Sequence, residues 1–414
     1  MVMTMMVGTM NEHVDKISLT VSREELLNRL GRLQASLIQA DLEGMFALPL
    51  TDRFYFSGTA QDGVLWVPAS GPACLMIRKV YERARQESPL EHVIPFKGYR
   101  QLPDLLRDLG VRKVRRMGLA LDVVPAAIYF QFRQLFPEAE FVDVSQGIRT
   151  LRSYKSPYEV ELIREASRIL DVGLESIRDY LQEGMEEITL AALVDARMRQ
   201  EGHEGNLKMR RWGYACSYLL ASGESGSLPT CFESICPGPG LSPALPYGPS
   251  HKTIRRGEPI IADPVGSFNG YCADTTRTFA LGTLDSDLIQ AYEVTRQILQ
   301  EIERSCLRPG ARTGEIYDLA ISLAQQSPFG EYFLGSGESR ASFMGHGLGL
   351  ELDEPPFLAR GSTALLEEGM VVAVEPKMLF PGRGALGVEN TYLITAHGAE
   401  RLTHLSEDLI LIDR

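Results

Sequence analysis

The sequence predicts two domains of different class, a smaller α/β domain followed by a larger α+β domain. Three observations lead there. The length of 414 residues, at roughly 150 residues per domain, allows two or three domains. Helical and strand-like apolar patterns alternate over the first third of the chain, the signature of an α/β unit. From residue 259 onward strand patterns dominate, with two helical stretches set among them.

The elements follow in order. Residues 23–40 carry Leu26, Leu27, Leu30, Leu33, Leu37 and Ile38 at helical spacing, begun by Ser22 as N-cap with Glu25 three residues on. Residues 45–50, 63–67 and 73–77 are short apolar runs bounded by Gly, Pro and Asp, which predicts strands. Residues 102–109 are amphipathic, 113–120 read as a strand after a turn, and 126–135 as a helix. Between 142 and 157, Asp143, Ser145, Arg149, Arg152 and Lys155 interrupt the apolar rhythm, and Pro157 marks a helix start. Residues 158–181 predict a long helix burying Val160, Ile163, Ala166, Ile169, Leu170, Val172, Leu174 and Ile177, and 190–201 predict another. Residues 222–250 are dense in Gly and Pro, either a surface linker or a loop that shapes a pocket. Helices are expected again at 287–304 and 313–325. The domains are therefore an N-terminal extension, 1–20, expected to be flexible, then 21–154, then 155–414.

Composition bounds the function classes. Lys plus Arg is 42 against 54 for Asp plus Glu, a net charge of -12, which argues against nucleic acid and anionic membrane as partners. Apolar residues make up 44% and charged residues 23%, as in ordinary globular domains rather than disordered or fibrous ones. Six cysteines in so long a chain are too few for a disulfide framework. Cys231 and Cys236 have the look of half a zinc site, but no second pair of matching spacing follows. The Met-rich start lacks an apolar run of signal-peptide quality, and no stretch approaches a membrane span. A cytoplasmic protein with reduced thiols is the expectation.

The residues that carry chemistry lie in the second half. Asp263 ends the apolar run 259–262, and Asp274 lies eleven residues later, so the two fit adjacent strands of a hairpin turning through 266–270. Cross-strand neighbours lie about 5 Å apart, too close for two unpaired carboxylates and suited to a shared cation. His346 sits in Gly345-His346-Gly347-Leu348-Gly349, whose small residues let backbone approach closely. Glu375 follows the apolar run 370–374, and Glu389 precedes the strand pattern at 393–395. Two Asp, two Glu and one His form a hard, oxygen-rich set suited to divalent first-row ions.

On these residues the sequence resembles the pita-bread metallohydrolases, the superfamily of methionine aminopeptidase, Xaa-Pro aminopeptidase, prolidase and creatinase. The matching pieces are 263–279 (D-P-V-G-S-F-N-G-Y-C-A-D-T-T-R-T-F), 345–356 (G-H-G-L-G-L-E-L-D-E-P-P), 374–376 (V-E-P) and 387–391 (G-V-E-N-T). Upstream, 152–164 looks like the domain junction of the creatinase and prolidase branch. The resemblance implies a C-terminal pita-bread fold behind a creatinase-type α/β domain. It implies two divalent ions per subunit (Mn, Co or Zn), with Asp263 on one ion, Asp274 and Glu389 bridging, and His346 and Glu375 on the second ion. It also implies hydrolysis of an amide C–N bond by a metal-bridging hydroxide, with Glu375 taking and returning the proton. An Xaa-Pro dipeptidase or aminopeptidase, homodimeric and acting on a small peptide, is the expected form. A hydrolase of a small non-peptide amide or guanidino compound and a non-catalytic binding protein are the alternatives.

The surroundings depart from the family's pattern. Where the family has a histidine in an H-E-x-P segment, this chain has Asp353; where it has one in an L-P-H segment, this chain has Tyr247; and an arginine of the Xaa-Pro branch is Gly387. Tyr247 either donates a hydrogen bond in the histidine's stead or only packs. His251 either reaches the pocket or lies on a surface loop. Asp353 either supports the ions from behind or is a turn residue before Pro355. The run Lys208, Arg210, Arg211 with Trp212 is either a solvated basic face or a source of carboxylate-binding arginine.

Overall fold

The computed structural model describes residues 17–210, 218–228, 238–335, 337 and 340–413. Cys231, Cys236, Arg211, Trp212 and most of the 1–20 extension lie outside the described residues. The chain divides into two compact units, Met1–Arg152 and Ser153–Arg414.

The first unit runs α1 (Arg23–Gln39), β1 (Gly44–Ala47), α2 (Leu50–Ser57), β2 (Gly63–Pro68), β3 (Cys74–Ile77), α3 (Tyr81–Glu87), β4 (His92–Pro95), α4 (Leu102–Asp108), β5 (Arg116–Leu119), α5 (Ala126–Leu135), β6 (Glu140–Asp143) and α6 (Ser145–Ser153). The Ser22 hydroxyl caps α1 by accepting from the Glu25 amide, and Leu26, Leu30, Leu33 and Leu37 form its buried stripe. The six strands make one mixed sheet in the order β4-β3-β2-β1-β5-β6. On it, Phe46, Trp66 and Phe132 centre an aromatic core.

Two segments correct the sequence reading. Residues 50–57 form α2, and the region read as an interruption forms α6, because charged residues there face inward. Arg152 and Asp52 are both buried and meet at 3.0 Å, and Arg53 donates to the Leu48 and Gly63 carbonyls. A buried, hydrogen-bonded ion pair reads in sequence like a solvated face.

The second unit runs α7 (Pro157–Glu175), α8 (Ile177–Tyr180), α9 (Glu187–Gln200), β7 (Tyr218–Ser222), β8 (Ile260–Phe268), β9 (Tyr271–Asp274), β10 (Arg277–Leu281), α10 (Ser286–Ser305), α11 (Thr313–Gln325), β11 (Phe343–Gly347), β12 (Glu354–Ala359), β13 (Val371–Val374), β14 (Lys377–Phe380), β15 (Gly384–Gly387), β16 (Asn390–Thr395), β17 (Gly398–Arg401) and β18 (Ile410–Ile412). Ser156 and Glu159 close a capping box at the start of α7 with Pro157 in its first turn, which fixes where that helix begins. The helix packs on β8 and β9. One sheet has the order β18-β10-β8-β7 with β9 paired to β8, a second has β12-β11-β13-β16-β17, and β14 with β15 forms a hairpin.

Candidate metal centre

The first two acidic candidates share one hairpin. β8 and β9 pair antiparallel with Val265 opposite Asp274. Asp263, two residues before Val265, therefore faces the same side as Asp274. The turn is tighter than 266–270, because β8 continues to Phe268 and only Asn269 and Gly270 connect the strands, with φ of 47° and 81°. Two successive left-handed residues, Asn then Gly, are the chemistry of a two-residue hairpin.

The other three come from the second sheet. His346 on β11 pairs with Ala373 on β13. Val374 of β13 lies opposite Asn390 of β16, so Glu375 and Glu389 leave the sheet side by side. Gly347 is required at its position: a β-carbon there would fall 2.3 Å from the Pro355 carbonyl oxygen. Asp274 is tied across to β16, its amide donating to the Thr391 hydroxyl at 3.1 Å and that hydroxyl donating to its carbonyl at 2.8 Å.

All five candidates are buried. Asp274, His346 and Glu389 each offer one donor atom, and the three donors lie within 4.8 Å of one another. The Asp274 Oδ2 and Glu375 Oε1 atoms stand 3.7 and 3.9 Å from His346 Nε2. The imidazole Nδ1 lies 3.1 Å from the Gly347 carbonyl and 3.0 Å from that of Leu352. With its proton committed there, Nε2 presents a lone pair to the carboxylates. Asp274 Oδ1 and Glu389 Oε1 are buried without a hydrogen-bond partner. Such oxygens are costly unless a cation takes them up. This donor set fits a divalent ion.

A sixth group stands among them that the sequence reading missed. The side chain of Lys377 is fully buried, and its Nζ lies 2.9 Å from Asp263 Oδ2, 2.8 Å from Glu375 Oε2 and 3.0 Å from Glu389 Oε2. The signal was present: in extended chain, residues two apart face the same side, and Lys377 is two residues beyond Glu375.

The electrostatics follow from this packing. Burial raises the Asp274 carboxyl well above its ordinary range, with Glu389 and Asp263 adding to the effect and Lys377 opposing it. Glu389 is pushed up to about 7, by burial first; Lys377 opposes this, while Glu375 and Asp263 add to it. For Lys377, burial works to lower the value, yet Asp263, Glu375, Glu389 and Asp274 together raise it well above that of free lysine. His346 behaves alike: burial lowers it, and Asp353, Glu375 and Glu389 outweigh that.

The remaining candidates are dispersed. Asp353 stands behind the imidazole, its Oδ1 3.8 Å from His346 Nδ1. The adjoining Glu354 turns inward, accepting from Lys155 at 3.3 Å and from the Glu351 amide at 3.1 Å, which anchors the loop carrying Asp353. Tyr247 is buried. His251 is not brought to the cluster: its ring is 73% exposed and lies 2.8 Å from Glu186 beside the start of α9, because Ser250 is pinned there by Glu187. Arg210 is no solvated face, since its side chain is enclosed and its Nη1 is 3.5 Å from Glu351.

Comparison with known proteins agrees on one kind of molecule. The model of metallopeptidase family M24 matches residues 161–396, and that of the creatinase/prolidase N-terminal domain matches residues 29–154. The chain is 28% identical over 388 residues to an Xaa-Pro dipeptidase of Pyrococcus furiosus, covering 92% of this chain and 99% of the relative. It is 27% identical over 388 residues to an uncharacterized peptidase of Bacillus subtilis, covering 93% and 100%. Its structure is similar to the prolidase from Pyrococcus horikoshii OT3, with a TM-score of 0.78 and 25% identity over 92% of this chain and 100% of that one. It is likewise similar to an Xaa-Pro dipeptidase from Bacillus anthracis, with a TM-score of 0.79 and 25% identity over 94% and 100%.

Proposed function

This chain belongs to metallopeptidase family M24, with a creatinase/prolidase N-terminal domain ahead of the catalytic one, and from that premise we propose that it hydrolyses the bond before proline in a small Xaa-Pro peptide. The observation that carries the reading is the convergence of Asp274, His346 and Glu389 donors within 4.8 Å. The Xaa-Pro dipeptidases among its relatives support the choice of substrate. The resemblance supports two ions, Mn, Co or Zn. The Asp274, His346 and Glu389 donors fit one of them, while Asp263 is engaged by Lys377.

A divalent ion, when bound, supplies a Lewis acid toward a carbonyl and makes water more acidic. The chain's own groups do the rest. Glu375 takes the proton of the attacking water at Oε1, the oxygen left facing His346, and returns it to the departing amine nitrogen. Lys377 holds the other oxygen of Glu375 and so fixes the plane of the base. Asp353 sets the imidazole from behind, as an acidic partner orients a ligating histidine. A homodimer in the cytoplasm belongs to the same proposal, and light scattering on the purified protein tests the first half of it.

Kinetics with Xaa-Pro dipeptides, longer Xaa-Pro peptides and Xaa-Ala controls decide the substrate. Expected is turnover confined to Xaa-Pro bonds, lost on chelation and restored by Mn(II). No turnover of any peptide by protein that holds metal would sink this reading. It would favour a small non-peptide amide or guanidino compound, to which the acidic Asp353 beside the centre is better matched than a histidine.

A further inference from the structure

We infer that the ammonium of Lys377 takes the place of one of the two cations implied by the resemblance, so that the centre holds a single divalent ion between Asp274, His346, Glu375 and Glu389. The inference rests on the metallopeptidase reading above and changes its ion count.

An ammonium has three donors and no acceptor. Lys377 donates to Asp263 at 2.9 Å and to Glu375 at 2.8 Å, and a third carboxylate oxygen, Glu389 Oε2, lies 3.0 Å from the same nitrogen. Asp263 is the residue the resemblance puts on the first ion alone, and its Oδ2 is the atom Lys377 holds. An ion bound to Asp263 would share these oxygens with the ammonium and stand beside a like charge in a site closed to water.

The chain also clears a place for the lysine. Lys377 and Gly387 are cross-strand partners in the β14–β15 hairpin. A β-carbon at Gly387 would fall 2.5 Å from Lys377 Cγ and 2.8 Å from its Cα. The glycine at 387, where the Xaa-Pro branch has arginine, lets the two strands close up here, since a β-carbon would meet the Pro376 carbonyl oxygen at 2.8 Å as well as the lysine.

On the other side of the cluster the donors for one ion remain. Asp274 Oδ1 and Glu389 Oε1 have no hydrogen-bond partner, and His346 turns Nε2 toward them. Glu375 is divided, with Oε2 on Lys377 and Oε1 toward His346. Four carboxylates with one ammonium carry a net charge of minus three, which one divalent ion lowers to minus one, whereas two would reverse its sign.

The test is a count. The full-length protein is stripped by dialysis, reconstituted with MnCl2 and freed of excess metal. Mn per chain is then measured by mass spectrometry, and the coupling of the ions by electron paramagnetic resonance. The wild type should hold one Mn(II) per chain with the hyperfine-resolved signal of an isolated ion. Lys377→Gly and Lys377→Ala should rise to two, with an exchange-coupled signal. A wild-type count of zero or two overturns the inference, as does a folded Lys377 variant that still holds one. Should neither variant fold, Asp263→Asn decides: a count still at one supports the lysine, and a fall to zero overturns it. Xaa-Pro turnover measured on the same samples keeps the two proposals apart. One ion without peptide turnover defeats the substrate and leaves the lysine, while two ions with turnover does the reverse.

Discussion

Glu375 has one oxygen 2.8 Å from the Lys377 ammonium, and its other oxygen faces the His346 imidazole 3.9 Å away. A base held at one oxygen with the other left open is poised for proton transfer without searching rotamers, and such groups contribute about 10²–10⁴-fold to rate. Glu375→Ala is therefore expected to lower kcat by at least that factor with the fold intact by circular dichroism; undiminished kcat would remove Glu375 from the chemistry. At this scale the five candidates could be named from sequence because their residue types match what divalent cations bind, and Asp274, His346 and Glu389 do converge. Lys377 was not, since the chemistry of a metal site directs attention to ligands and away from competing cations. His251 was named as a pocket candidate because loop residues near a site are open to either reading. Its place on Glu186 is decided by Ser250 and Glu187, a contact that spans more than sixty residues.

The hairpin of β8 and β9 presents two of the carboxylates, and its geometry depends on the left-handed pair Asn269 and Gly270. A β-branched residue at φ 81° is strained by about 1–2 kcal/mol. Gly270→Val should lower stability by that much in urea titrations and weaken Mn(II) binding with it. A loss of stability without weaker binding would separate the turn from the placement of Asp274. A second element-level device is His203, just beyond α9, whose Nδ1 accepts from the Ser267 amide on β8 at 3.0 Å. Burial lowers its pKa below the ordinary 6.5, against the opposing pull of Asp195. The unfolded chain thus takes up the proton first as pH falls, and the stabilisation, complete above about 6.5, is lost progressively below it. In urea titrations between pH 5 and 8, His203→Gln should flatten the acid side of the stability profile relative to wild type; identical slopes would exclude the histidine. Helices with a clean apolar stripe, such as α1 and α11, could be read from sequence. α2 and α6 could not, because Asp52 and Arg152 neutralise each other inside the protein, and periodicity cannot tell a paired buried charge from a wet one.

Over the whole molecule, every candidate donor lies in the unit Ser153–Arg414, and none of the described helices is long and apolar enough to cross a membrane. Ligand binding stabilises the unit that binds by about 2.7 kcal/mol at a hundredfold excess over Kd, roughly 5 °C for a unit of this size. Scanning calorimetry of the full chain should therefore show two transitions, of which MnCl2 raises only that of the larger unit. A shift of both together would mean that the units unfold as one. The expected boundary at 154/155 came from the change in pattern around the junction; which face of each sheet meets which helix was not readable, being a property of packing. The Lys377 side chain, finally, is a cation tethered to the backbone. A dissociable ion obeys mass action and is absent when its concentration falls, whereas a tethered one has a fixed, high effective concentration. Metal starvation would still leave one of this centre's four carboxylate charges neutralised, and Asp263 would keep its partner whatever the metal supply.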